Sequence, residues 1–145
     1  MDKLLRVHFE KAIKVMKKEI FRSERYFVLF DYFVGHGQLL IRSSKKDGHP
    51  ANIDVIFFDT TFIQSFTMLR GLIISLIDKN AISSYPVVHE YLKLENSSLF
   101  ELESGGEKFY VAASFVKVYE NDLGFSETSL GMVYQGRETE ISGSR

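Results

Sequence analysis

Short apolar runs joined by glycine turns are the feature that most constrains the fold of this chain. Residues 26–34 are dense in Phe, Tyr and Val, Gly35-His36-Gly37 follows as a turn, and residues 38–43 resume an extended pattern. Further on, residues 99–103 alternate apolar and polar side chains, and Gly105-Gly106 supplies the positive φ angles of a tight hairpin turn. Such hairpins predict a mainly antiparallel sheet. They argue against a doubly wound fold, which alternates strands with helices.

Three more strands are predicted between and after these hairpins. Residues 52–58 are apolar on both faces, which indicates a central strand, and residues 109–119 form one long strand. Residues 66–77 fit two patterns, because some apolar residues recur at helical spacing and others alternate. Gly71 would cost a helix interior about 1 kcal/mol, and isoleucine favours strands, so we predict a strand over residues 71–77.

The opening segment has a different period. Apolar residues recur there at steps of three and four, as on one helical face: Leu5, Phe9, Ala12, Ile13, Met16 and Ile20. This spacing predicts an amphipathic helix from about Asp2 to Arg22, packed on one face of the sheet, and a second short helix is expected over residues 87–93. The predicted fold class is therefore α+β, with a mainly antiparallel sheet of five or six strands. Residues 1–133 form a single domain in this interpretation, and residues 134–145 form a flexible tail.

Composition excludes several kinds of site. The 145 residues contain no cysteine, which removes disulfides, thiolate nucleophiles, zinc-thiolate sites and iron–sulfur clusters. No apolar stretch approaches the roughly 20 residues that cross a bilayer, and no secretory signal is recognisable at the start. We therefore expect a cytoplasmic protein with no membrane association. No cofactor motif is present either, so we expect no cofactor.

The N-terminal 25 residues carry most of the positive charge. They hold eight basic and four acidic residues, although the whole chain has a net charge of −1. Lys14, Lys17 and Lys18 are candidates for phosphate contacts in a nucleic-acid-binding accessory protein. Interleaved Glu10 and Glu19 dilute this patch, so a solvated helix face is the favoured interpretation and nucleic acid is not the expected partner.

Catalytic signals are weak along the whole sequence. No nucleophile elbow or phosphate-binding glycine loop is present, so no catalytic residue is assigned and an enzymatic role is not favoured. His36, His49 and Asp54 are weak candidates for a metal-dependent hydrolase, provided that their loops converge. The simpler interpretation is that all three are ordinary turn and strand residues.

The acidic segment that follows the long strand is the best candidate for recognition. Apolar residues fall there outside any regular period, between carboxylates, and the candidates are Glu120, Asp122, Leu123, Phe125 and Glu127. Such a loop can recognise a basic partner, or its apolar groups can pin it to the domain's own core. The favoured function is a non-enzymatic protein-interaction module, such as a small inhibitor, an immunity-type protein or an adaptor. The expected partner is another protein, and this interpretation also allows a homodimer through an exposed edge of the strand over residues 109–119.

Overall fold

The computed structural model describes residues 16–85, 88, 92, 97–131 and 138–145. In this part of the chain nine strands form one antiparallel sheet, in the order β4-β7-β6-β5-β1-β2-β3-β8-β9. The strands are β1 (Lys17–Phe33), β2 (Gln38–Ser43), β3 (Asn52–Phe58), β4 (Phe62–Gln64), β5 (Met68–Ile77), β6 (Ser98–Ser104), β7 (Glu107–Ala113), β8 (Phe115–Asn121) and β9 (Glu138–Gly143). Two 3₁₀ segments, Gly35–Gly37 and Lys79–Ser84, complete the described elements.

Two bent strands bring the ends of this sheet together. β3 runs into β4 and β7 runs into β8, and the two bent segments pair with each other on both sides of the bend. At the bend, the Ser114 backbone N–H donates to the Phe58 carbonyl at 2.9 Å, and the Thr61 N–H donates to the Ala112 carbonyl at 2.9 Å. β4 and β7 lie at one end of the strand order and β3 and β8 lie near the other end, yet β3 continues into β4 and β7 continues into β8. The sheet must therefore curl around a single interior.

The interior of the curled sheet is filled by aromatic and branched side chains. Phe57 of β3 and Phe100 of β6 lie far apart in the strand order, yet their rings meet edge to face with centroids 5.4 Å apart. Both are fully buried in one continuous cluster, as are Phe27, Ile41, Val55, Leu102 and Val118. The high phenylalanine content of the sequence supplies this core.

Two segments cover parts of the outer face of the sheet. Residues 122–131 lie over β2 and β3, where Leu130 packs on Leu40 and Ile56. The 3₁₀ helix Lys79–Ser84 lies over β5, β6 and β7 and is buried through Ala81 and Ile82. Both faces of β3 are thus covered, as the apolar sequence of residues 52–58 predicts.

The predicted α+β fold class is wrong. Residues 17–33 form strand β1, so the segment from Lys17 to Arg22 is extended, and the sheet has nine strands rather than five or six. Met16 and Ile20, assigned to one helical face by their spacing, pack in two different clusters on opposite faces of the sheet. The rest of the predicted helix, residues 2–15, lies outside the described residues.

Most predicted strands are confirmed. The observed bounds of β2 and β3 match the predicted ones, and the ambiguous segment is a strand that begins at Met68. The predicted long strand over residues 109–119 is interrupted at Ser114, where β7 passes into β8. Within the predicted helix 87–93 only Val88 and Leu92 are described, and both are helical and buried. In the segment assigned to a flexible tail, residues 138–143 pair with β8 as β9.

Candidate interaction surface

A completely buried ion pair lies on the outer face of the sheet. Arg42 and Asp54 are cross-strand partners on β2 and β3, and neither side chain is exposed. The guanidinium grips the carboxylate with both branches, Nε to Oδ1 at 2.6 Å and Nη2 to Oδ2 at 2.8 Å. Its plane also lies over the Phe30 ring, with Cζ 4.2 Å from the ring centroid. A buried ion pair is stable only when its remaining hydrogen-bonding capacity is satisfied, so its other partners matter.

Those other partners tie the loop of residues 122–131 to the sheet. Asp54 Oδ2 accepts hydrogen bonds from Asn121 Nδ2 at 2.8 Å and from Ser129 Oγ at 2.7 Å. Arg42 Nη1 donates to the Glu127 carbonyl at 2.6 Å. Because these donors and acceptors come from both ends of the loop, the ion pair fixes the loop at both ends.

A second buried amide strengthens the start of the loop. Asn52 Nδ2 donates to Asn121 Oδ1 at 2.8 Å and to the Leu123 carbonyl at 2.9 Å. Its Oδ1 accepts from the Lys45 backbone N–H at 2.7 Å, which joins the β2–β3 connection to the same network. Leu123 itself is buried beside these groups. The loop therefore leaves β8 through a satisfied polar network rather than through solvent.

The middle of the loop is a tight turn that carries an exposed phenylalanine. The Glu127 N–H donates to the Gly124 carbonyl at 3.0 Å, and Glu127 Oε1 accepts from the Gly124 N–H at 2.6 Å. Phe125 occupies the tip of this turn and is 82% exposed. A large apolar side chain in water is unfavourable, whereas the backbone beneath it is held by buried groups. Phe125 is thus presented on a rigid support.

An uncovered part of the sheet continues this surface. Met68 pairs with Val28, and Val28 pairs in turn with Arg42, so the three residues form one cross-strand row. Met68 is 64% exposed, and Tyr26 nearby on β1 is exposed beneath the guanidinium of Arg70, at 5.5 Å. Neighbouring strands lie about 4.8 Å apart, so Met68 is about 10 Å from the position of Arg42. The gap between the two covering segments therefore exposes apolar side chains beside the loop.

The predicted recognition residues divide into three groups. Phe125, Asp122 and Glu127 lie at the surface of the loop, and Lys45 Nζ donates to the Asp122 carbonyl at 2.7 Å. Leu123 is buried and anchors the loop, as the alternative interpretation expects, whereas Phe125 does not pack into the core. Glu120 is exposed on β8 beside Arg25: burial lowers the pKa of Arg25, and the Glu120 carboxylate opposes that shift.

The other predicted site residues are not brought together. Asp54 lies inside the buried network, and no group of three or more His, Cys, Asp or Glu residues in the described part of the chain could hold a metal. His36 lies in the 3₁₀ segment Gly35–Gly37, and His49 pairs with Lys46 in the β2–β3 connection. These two histidines therefore belong to separate turns.

The lysines proposed for phosphate contacts do not share one face either. Lys17 Nζ donates to Glu101 Oε2 at 2.7 Å, so its charge is already paired. Lys18 is exposed, and it projects from the other face of β1 because successive strand residues alternate. Lys14 lies outside the described residues.

Carboxylates cluster where β9 begins. Burial, with Asp54 and Glu140 nearby, raises the pKa of Glu138 to about 7. On the paired strand β8, burial raises the pKa of Tyr119 to about 12, with Glu138 and Glu140 adding to the shift. Glu140 is also paired with Lys117 at 3.2 Å, so Glu138 is the carboxylate of this cluster that changes charge near neutral pH.

Sequence reasoning missed the residues that build the support. Arg42 and Asp54 are each the only charged residue of their strand and lie beside apolar runs, and that isolation is the signal that could have identified a buried pair. Asn52, Asn121 and Ser129 carry no comparable signal, because polar residues are common at strand ends and in loops.

Comparison with known proteins adds no relative. The chain matches no protein family, and neither the curated proteins nor the solved structures contain a significant match. Within the described residues, no helix has the length and apolar character required to cross a bilayer.

Proposed function

We propose that this protein is a non-enzymatic interaction module that binds another protein through the surface formed by Phe125, Met68 and Tyr26. The observation that carries the proposal is Phe125, an 82% exposed aromatic residue on a loop whose two ends are fixed to a buried ion pair through Asn121 and Ser129. Binding hot spots are enriched in aromatic residues held in place before the partner arrives, because little conformational entropy is then lost on binding.

The charge around this surface defines the partner further. Asp122 and Glu127 are exposed on the loop, whereas Glu140 on strand β9 is paired with Lys117 at 3.2 Å. An acidic rim around an apolar centre suits a partner with an apolar pocket bordered by lysine or arginine. Such a module would act as an inhibitor, an immunity-type protein or an adaptor in the cytoplasm, a compartment that accords with the absence of cysteine.

Paired capture experiments test this proposal. Native lysate is passed over immobilised wild-type protein and over the Phe125→Ala variant, and retained proteins are quantified by mass spectrometry. We expect at least one protein whose retention falls about tenfold or more with Phe125→Ala, as for a hot-spot residue. Ile63→Ala, a partly exposed apolar residue on β4, is the matched control and should leave the retention of that protein unchanged.

The purified protein and the partner captured in this way then allow the decisive measurement. Titration calorimetry with the purified partner should show weaker binding for Phe125→Ala and also for Met68→Ala, and rising salt should weaken binding because the acidic rim is screened. A retained-protein profile that is identical for the wild type and Phe125→Ala would contradict the proposal.

The nucleic-acid alternative receives less support from the described residues, because Lys17 is paired and Lys18 faces away from it. The homodimer alternative would need a different strand edge from that of residues 109–119. β7 pairs with β4 and β6, and β8 pairs with β3 and β9, so residues 109–119 are hydrogen-bonded on both sides.

A further inference from the structure

A pocket lies at the opposite end of the strand order from the loop. It has a volume of about 420 Å³ and is bordered by Phe62 and Ile63 of β4, Tyr110 of β7, and Tyr85 and Val88 in the segment after the 3₁₀ helix. Ligand-binding pockets commonly have volumes of roughly 300–1,000 Å³, and an apolar cavity of about 150 Å³ already holds benzene. The pocket is therefore large enough for a ligand of several rings.

Aromatic side chains form its walls. The Tyr85 and Tyr110 rings are tilted by 59° with centroids 5.1 Å apart. Both rings and Phe62 pack against the buried cluster under the 3₁₀ helix, which includes Val88. Ring faces and edges at these angles are complementary to further aromatic rings.

None of the described residues that border the pocket carries a charged side chain. Burial raises the pKa of Tyr110 far above its ordinary value, with further contributions from Tyr85 and Glu101, and burial likewise raises the pKa of Tyr85. Both phenols therefore stay protonated at any physiological pH. The nearby carboxylate of Glu101 is 3% exposed and is neutralised by Lys17 Nζ at 2.7 Å.

We propose that this pocket binds an uncharged aromatic molecule of two or three rings that carries one hydrogen-bonding group. The apolar walls hold the rings, and the tyrosine hydroxyls provide the polar contact. A charged ligand would lose its hydration without meeting an unpaired opposite charge on the described residues around the pocket, so charge is selected against. The site shares no residue with the loop surface and does not depend on the proposed function.

Fluorescence titration with N-phenyl-1-naphthylamine, a neutral two-ring probe with a linked phenyl group, tests the site. The probe should bind saturably with an increase in its emission. Ile63→Glu places a carboxylate at the rim and should raise Kd about tenfold or more, because the probe then faces an uncompensated charge. Ile141→Glu is the matched control: Ile63 is 40% and Ile141 42% exposed, both on strands, but Ile141 lies on β9.

The hydroxyl contact is tested separately with 1-naphthol and naphthalene as competitors of that probe. Tyr85→Phe and Tyr110→Phe keep both rings and remove the hydroxyls. The double variant should weaken 1-naphthol about fivefold to tenfold and leave naphthalene unchanged. Urea unfolding of every variant confirms that the fold is retained, so a loss of binding reports on the pocket.

Three results would overturn the proposal. The first is no saturable binding of the probe up to its solubility limit. The second is an equal effect of Ile63→Glu and Ile141→Glu, which would place the probe elsewhere. The third is tighter binding of the sulfonated analogue 1-anilinonaphthalene-8-sulfonate than of the neutral probe, since the site would then select for negative charge.

Discussion

Arg42 and Asp54 meet across strands β2 and β3 with both side chains fully buried, on the face of the sheet that looks away from the main core. Three further hydrogen bonds join the pair to the loop, from Asn121 and Ser129 to Asp54 and from Arg42 to the Glu127 carbonyl. The pair lies under the loop rather than in the main core, and its partners belong to the loop. Its structural role is therefore to hold the loop in one conformation, as buried polar groups do in other proteins.

Breaking this pair should destabilise the fold strongly. Arg42→Met leaves the Asp54 carboxylate buried without its main partner, and we expect a loss of about 3–5 kcal/mol in the free energy of unfolding, measured by urea denaturation. Arg22→Met is the control, because Arg22 contacts Glu19 at 2.7 Å on the surface. Exposed pairs contribute about 0–1 kcal/mol, so the two arginine variants should differ clearly, and equal losses would contradict the role of the buried pair.

Ser129→Ala removes one donor from Asp54 and should loosen the end of the loop. A hydrogen bond to a charged group contributes about 1.5–3 kcal/mol, and we expect a loss of stability within that range. Hydrogen exchange should also speed up at the Leu130 and Leu123 amides, while the amides of β3 stay protected. Ser126→Ala, at the exposed tip of the turn, should change neither quantity. Unchanged exchange in Ser129→Ala would show that the loop does not depend on this contact.

The sequence allowed the hairpins, the β2 and β3 strands and the antiparallel character of the sheet to be predicted, because alternation and glycine turns are local signals. It misled at β1 for a physical reason. β1 departs from regular pairing between Glu19 and Phe21, between Ser23 and Tyr26, and between Leu29 and Asp31. Only the first irregularity lies within the predicted helix, and it falls at Ile20, where it interrupts the regular alternation that would have indicated a strand.

The candidate site could be predicted only in part, for a related reason. Phe125 stands out in the sequence because it is apolar among acidic residues, and that local contrast is visible without a structure. The support beneath it joins Arg42 to Glu127 over a sequence separation of 85 residues. No local pattern encodes such a contact, because it depends on β8 pairing with β3 and on β3 pairing with β2.

Gly71 should be required for its backbone conformation in the middle of a strand. Its φ angle is +70°, and Leu69 and Leu72 on either side of it both face the core. A Cβ at this position would meet its nearest atom, the Ser23 carbonyl oxygen, at 3.5 Å, so space is available and only the left-handed conformation opposes a side chain.

Gly71→Ala should therefore reduce the free energy of unfolding by about 1–2 kcal/mol. Gly71→Asn should reduce the free energy of unfolding by less than Gly71→Ala, because asparagine tolerates the left-handed region better than alanine. Neither residue is favoured in strands, so strand propensity would not produce this difference. Urea denaturation of both variants measures the difference. An alanine variant as stable as the wild type would show that this bulge can relax.

Glu138 should make stability depend on pH near neutrality. Its pKa in the folded protein is about 7, raised by burial, Asp54 and Glu140 from 4.5. Because the folded state then binds more protons than the unfolded state between these values, this carboxylate destabilises the fold above pH 7. The penalty disappears as pH falls from about 7 toward 4.5.

The comparison of Glu138→Gln with the wild type isolates this effect from other titrating groups. At pH 8 the glutamine variant should be more stable by about 1 kcal/mol, a figure reduced for the solvent screening of a partly exposed carboxylate. At pH 5 most of the difference should be lost, because the penalty declines as the pH falls from about 7 toward the unfolded-state pKa of 4.5. Glu107→Gln is the control, because Glu107 is an exposed carboxylate on β7, and its stability relative to the wild type should not depend on pH in this way. A constant difference between Glu138→Gln and the wild type from pH 5 to pH 8 would contradict the raised pKa and the carboxylate cluster that causes it.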